Sequence, residues 1–89
     1  MLEKDVEKHL NKCVAAAGGM CLKFTSSIGG IPDRVIIHKG KVYFVELKRD
    51  EGVLSKLQIG IQNQMKVCGA EVFVLWNKGD VDWFVSEWL

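Results

Sequence analysis

Apolar and polar positions along the chain switch between helical and strand periods, and each switch marks an element. Leu2, Val6, Leu10, Cys13, Val14 and Ala17 recur on one stripe, which predicts an amphipathic helix over 2–17. Gly18-Gly19 stop it. Residues 20–24 form a short strand candidate, and 25–31, with two serines and two glycines, read as a loop. Two apolar runs at 33–38 and 42–47 flank Lys39-Gly40, which predicts a hairpin whose turn puts Gly40 at positive φ. After Asp50-Glu51-Gly52, Ser55 begins a second helix carrying Leu57, Ile61, Met65 and Cys68 and closed by Gly69. The Val- and aromatic-rich segment 71–76 is a buried strand. Asp80 then N-caps a last helix ending at Leu89.

The predicted order is α-β-β-β-α-β-α. Runs 33–38 and 42–47 are apolar on both faces, as expected of central strands covered on each side. Strand 71–76 follows a helical crossover and should lie parallel to its neighbour. The fold class is therefore α/β, a small mixed sheet flanked by helices. With 89 residues and no repeat or linker, 1–89 reads as a single domain.

Composition narrows the classes. At 48% apolar and 26% charged the chain is globular. It contains no run long enough to span a membrane, and it opens with charges, unlike a secretory signal. Cys13, Cys21 and Cys68 are odd in number and lack a C-x-x-C pair, which points to reduced core thiols in a cytoplasmic protein and away from zinc. A net charge of +1 does not announce a nucleic-acid binder, so any such contact must rest on a local patch. His9 and His38 show no ligand spacing and read as surface residues.

Candidate chemistry comes from the hairpin register. If Lys39-Gly40 is the turn, residue 37 faces 42, 35 faces 44, and Asp33 faces Glu46. Opposed residues have Cβ atoms roughly 4.5–5.5 Å apart. Lys48, two residues past Glu46, falls on the same face. Two carboxylates and an ammonium make a poor core and a good site for a hard divalent cation such as Mg²⁺, with Mn²⁺ as substitute. A surface Asp–Glu–Lys cluster at a strand end is the plain alternative.

Pro32-Asp33 followed by Glu46-Leu47-Lys48 resembles the PD-(D/E)XK nuclease signature. More narrowly, the chain resembles a stand-alone VRR-NUC domain, the virus-type replication-repair nuclease of phages and prophages. Glu3, Gly18-Gly19, Lys23, Gly30-Ile31-Pro32-Asp33-Arg34, Phe44-Val45-Glu46-Leu47-Lys48-Arg49 and Leu54-Ser55-Lys56-Leu57-Gln58 carry that likeness over nearly the whole length. The resemblance implies a restriction-endonuclease-like core in which Asp33, Glu46 and the Leu47 carbonyl hold the metal. Lys48 would orient water and offset charge on the phosphate. It also implies a glutamine, Gln58, beside the active site. Ser55 and Gln58 equally fit a capping box, and the two readings stand together.

Around this centre, Glu3 projects closer to the apolar stripe than Glu7, which singles it out as the helix carboxylate, bound to the metal directly or through water. Dipole compensation in the first turn is its alternative role, and Glu7 reads as solvated. Lys23, Arg34, Arg49, Lys41 and Lys56 are candidates for a basic rim tracking a nucleic-acid backbone, and ordinary solvated cations otherwise. The loop before Asp33 either approaches the nucleic acid or merely connects. Trp76, Trp83, Phe84 and Trp88 read as core more than as stacking platforms. Ile59 off the helix stripe and the apolar last helix suggest a homodimer.

The expected activity is a metal-dependent DNA endonuclease selective for branched structures such as Holliday junctions, with no element suited to reading base edges and no small-molecule cofactor. A restriction-type or RNA-directed nuclease would use the same residues. A catalytically silent nucleic-acid-binding module is the non-enzyme rival.

Overall fold

A computed structural model describes residues 3–48 and 52–89. Its elements are α1 Glu3–Ala16, β1 Met20–Lys23, β2 Arg34–His38, β3 Lys41–Leu47, α2 Lys56–Val67, β4 Glu71–Leu75 and α3 Lys78–Trp88, in the order expected.

The β2–β3 hairpin sets the frame. Lys39 and Gly40 take φ of 48° and 78°, and positive φ at both central residues gives the twist that two-residue hairpins require. Register follows directly: Ile37 pairs with Val42, Val35 with Phe44 and Arg34 with Val45. β1 adds antiparallel to β2 and β4 adds parallel to β3, so the sheet order is β1-β2-β3-β4. The parallel pairing is what a crossover through α2 demands.

The two sheet faces differ. On one, Val6, Leu10 and Val14 of α1 and Val81 and Phe84 of α3 close over Ile36, Tyr43, Val45, Leu47 and Leu75. Phe73 joins this core edge-on to Phe84 at 4.9 Å between centroids. Trp88 also packs on Phe73, although Trp83 and Trp88 keep much of their surface exposed.

The opposite face is covered less than expected. α2 packs mainly on β4, and Met20, Leu22, Ile37 and Val42 remain exposed. Central position within the sheet therefore did not ensure cover on both faces, because among the described residues the helix on this side, α2, lies over one edge.

Local details amend three further expectations. Asn77, not Asp80, caps α3: its side chain accepts from the Asp80 N–H, and the Asp80 carboxylate accepts from the Trp76 N–H at 2.8 Å. His38 is buried, with Nε2 hydrogen-bonded to the Ala17 carbonyl at 3.0 Å. The cysteines are free, but Cys68 at the end of α2 is exposed, outside the core. Among the described residues no helix is long and apolar enough to cross a membrane.

Candidate active site

The pairings arrange the α2-side face into rows across the strands. Met20, Ile37 and Val42 form one, and Leu22, Val35, Phe44 and Val72 the next. One step further the row turns polar. The Phe24 N–H donates to the Asp33 carbonyl at 2.9 Å, extending β1–β2 pairing by a residue. Continuing the β2–β3 register by one residue sets Asp33 opposite Glu46, which itself pairs with Val74. Phe24 packs edge-on against Phe44, so the row before the carboxylates is aromatic and apolar.

Glu46 is buried, 6% exposed. The Lys48 ammonium lies 3.9 Å from its Oε2, while the Lys48 backbone N–H donates to the Leu75 carbonyl at 3.0 Å and holds that residue to the sheet. Leu47, between them, sends its side chain into the opposite core. Asp33 is half-buried, and its Oδ1 is enclosed without a hydrogen-bond partner. An unpartnered buried carboxylate oxygen is costly. A hard cation would satisfy it, and the carboxylate oxygens of Asp33 and Glu46 are the donor type that Mg²⁺ or Mn²⁺ takes.

Arg34 is placed differently from the expected basic rim. It is 6% exposed and points to the α1 side. There its Nη2 meets Glu7 Oε2 at 2.7 Å and its Nη1 donates to the Asp33 carbonyl at 2.9 Å, with Asp33 Oδ2 3.8 Å away. Glu7 is therefore not simply solvated: through Arg34 it belongs to the surroundings of Asp33. Burial pushes the nearby Cys21 thiol up; Arg34 opposes that shift, and Glu7 and Asp33 add to it. Glu3 opens α1, but its side chain lies outside what the structure describes.

Gln58 makes the capping box in full: its Oε1 accepts from the Ser55 N–H at 2.9 Å, and its own N–H donates to Ser55 Oγ at 3.0 Å. One turn later Gln62 is buried, with Nε2 unpartnered. As a polar residue beside the apolar stripe it gave no sequence signal. The loop before Asp33 is fastened to this helix. Gly30 has φ of 86°, and a Cβ there would come within 2.9 Å of the Leu57 carbonyl oxygen. Both demands select glycine, and they tie the approach to Asp33 to the start of α2.

The remaining cations are scattered. Lys23 pairs with Arg34 and so shares the α1-side face, opposite to Asp33 and Glu46. Lys56 is exposed in the first turn of α2, and Lys41 is exposed beside the hairpin turn. Arg49, like Asp50 and Glu51, lies outside the described residues.

No family model matches the chain, and no curated protein does. A solved structure titled "VRR_NUC domain" matches at TM-score 0.89 and 26% sequence identity, covering 98% of this chain and 97% of that one. The agreement extends through all three helices and the four-stranded mixed sheet. Over its full length the chain is thus similar to a VRR-NUC domain, a likeness that supports the same fold and suggests a nuclease of the PD-(D/E)XK type.

Proposed function

We propose that the protein is a metal-dependent DNA endonuclease that hydrolyses phosphodiesters in branched DNA. The enclosed, unpartnered Asp33 Oδ1 beside the β3 end that carries Glu46 and Lys48 is the observation that carries this reading. Asp33, Glu46 and the Leu47 carbonyl would hold a divalent cation, which when bound would supply Lewis-acid activation of the phosphate and of the attacking water. Glu46, buried against the sheet, presents a fixed carboxylate rather than a mobile one. Lys48, anchored through its backbone, keeps its ammonium beside the carboxylates, where it stabilises charge developing on the phosphate. Arg34 holds Glu7 and the Asp33 backbone together, so its contribution is to position the carboxylates. Gln58, held in its capping box, would have to leave that box to contact the metal or phosphate.

Selectivity for branched substrates draws its support from the open apolar face of the sheet, where exposed Met20, Leu22, Ile37 and Val42 offer a surface for a second copy. A two-fold dimer would present two cleavage sites to two strands. The deciding experiment is a cleavage panel of duplex, flap, four-way junction and RNA with Mg²⁺ or Mn²⁺. Cleavage of the junction at paired positions, abolished by Asp33→Ala and by Lys48→Ala in folded protein, is expected. Unchanged cleavage by either variant removes the site. Preference for linear duplex or RNA keeps the site and replaces the substrate.

A further inference from the structure

On α1, His9 stands two residues after Glu7, and so roughly 200° round the helix axis. Cys13 follows at i+4 on the same side, and Asp82 of α3 meets them. His9 Nε2 lies 2.7 Å from Asp82 Oδ1 and 3.6 Å from Cys13 Sγ, and one donor atom from each of the three residues falls within 4.8 Å of the others. A His–Asp hydrogen bond accounts for the first contact. The i, i+4 spacing brings the thiol beside the ring, 3.6 Å from Nε2 and 3.9 Å from Nδ1, so three donor types that suit one metal ion meet at one point.

We propose that His9, Cys13 and Asp82 form a binding site for a zinc-class transition-metal ion, separate from the nuclease centre, that clamps α1 to α3. Tetrahedral zinc with one imidazole, one thiolate and one carboxylate ligand holds its donor atoms roughly 3.3–3.6 Å apart. The His9–Cys13 separation already fits. The His9–Asp82 pair must open by about half an ångström for those ligand lengths, and Asp82, 64% exposed in its side chain, is free to move that far. Three protein ligands leave a fourth position for water. Thiolate and imidazole favour Zn²⁺ or Co²⁺ over Mg²⁺, whereas Asp33 and Glu46 offer oxygen alone. The two centres therefore sort metals by chemistry. Lys8, Lys12 and Lys78 line the neighbouring hollow of ≈ 240 Å³ with Asp5 and His9. Their charge opposes a bare dication, and the Cys13 thiolate and Asp82 carboxylate offset it. The clamp would fix the helix whose other side carries Glu7 to the Arg34 network.

Metal-free protein titrated with Co²⁺ tests this without any activity assay. One equivalent should produce a near-ultraviolet thiolate-to-cobalt band and tetrahedral visible bands, both bleached by Zn²⁺. Zn²⁺ alone should raise Tm by about 5 °C or more. Cys13→Ser and Asp82→Asn should each lose the bands and the shift, and Asp33→Ala should keep both. Absence of the thiolate band in the wild-type protein overturns the proposal. So does a band that survives Cys13→Ser, since Cys21 or Cys68 would then be the ligand.

Discussion

Ile36 and Ile37 are chemically identical neighbours on β2, yet one is fully buried and the other 38% exposed. The difference belongs to the two faces of the sheet. Ile36 points to the side closed by α1 and α3, where Tyr43 and Phe73 each pack edge to face on Phe84. Ile37 points to the side that α2 covers only in part. The closed face holds the fold together. The open face ends in the row with Asp33 and Glu46, where the proposed chemistry would sit beside an exposed apolar surface. On the proposed reading, stability and function are divided between alternate residues of the same strands.

Substitutions on each face should separate these roles. The largest effect is expected at the polar row: Asp33→Ala should remove Mg²⁺-dependent cleavage altogether while Tm stays within about 4 °C of the wild type. A collapse of Tm would show that Asp33 supports the fold instead. In the closed core, Phe84→Ala should cost ~3–5 kcal/mol in urea unfolding, and Ile36→Ala ~2–5 kcal/mol. Ile37→Ala should cost under ~1 kcal/mol in the monomer, and equal losses at 36 and 37 would dissolve the contrast. Arg34→Ala removes a buried cation whose partner Glu7 is partly solvated, so a loss of about 1–2 kcal/mol is expected, with reduced cleavage from displaced carboxylates. Smallest of all is Gln58→Glu. Glutamate also completes a capping box, so stability should hold within ~0.5 kcal/mol. A drop in cleavage would place the side chain at the site; unchanged cleavage would leave it a cap.

Much of this was legible in the chain before folding. Lys39-Gly40 specifies the turn, and the turn specifies the register as far as Arg34 and Val45; one residue further along that register, Asp33 falls opposite Glu46, with Lys48 two residues on. Ser55 and Gln58 likewise announce their own hydrogen bonds. These are local relations, decided by backbone geometry within a few residues. Asp80 shows the limit even there: Asn77, three residues earlier, offered an equivalent cap and took it.

Other features depend on how elements lie across one another. Periodicity gives the buried stripe of α1 but not its tilt, so it could not tell that Glu7 would reach Arg34. Nor could it show that His38 would bond the Ala17 carbonyl, or that His9, Cys13 and Asp82 would meet between two helices distant in sequence. The apolar pattern required a sheet with helices on both sides. Only packing decided that one side would be sealed and the other left partly bare, because two helices share the first and a single helix, tethered through Gly30 and Leu57, sits over the edge of the second. Sequence determined the strand order's local pairings and the residues at their charged end, since hydrogen-bond register propagates from the turn. Tertiary structure decided which charges became partners, since that depends on distances between elements that no local period encodes.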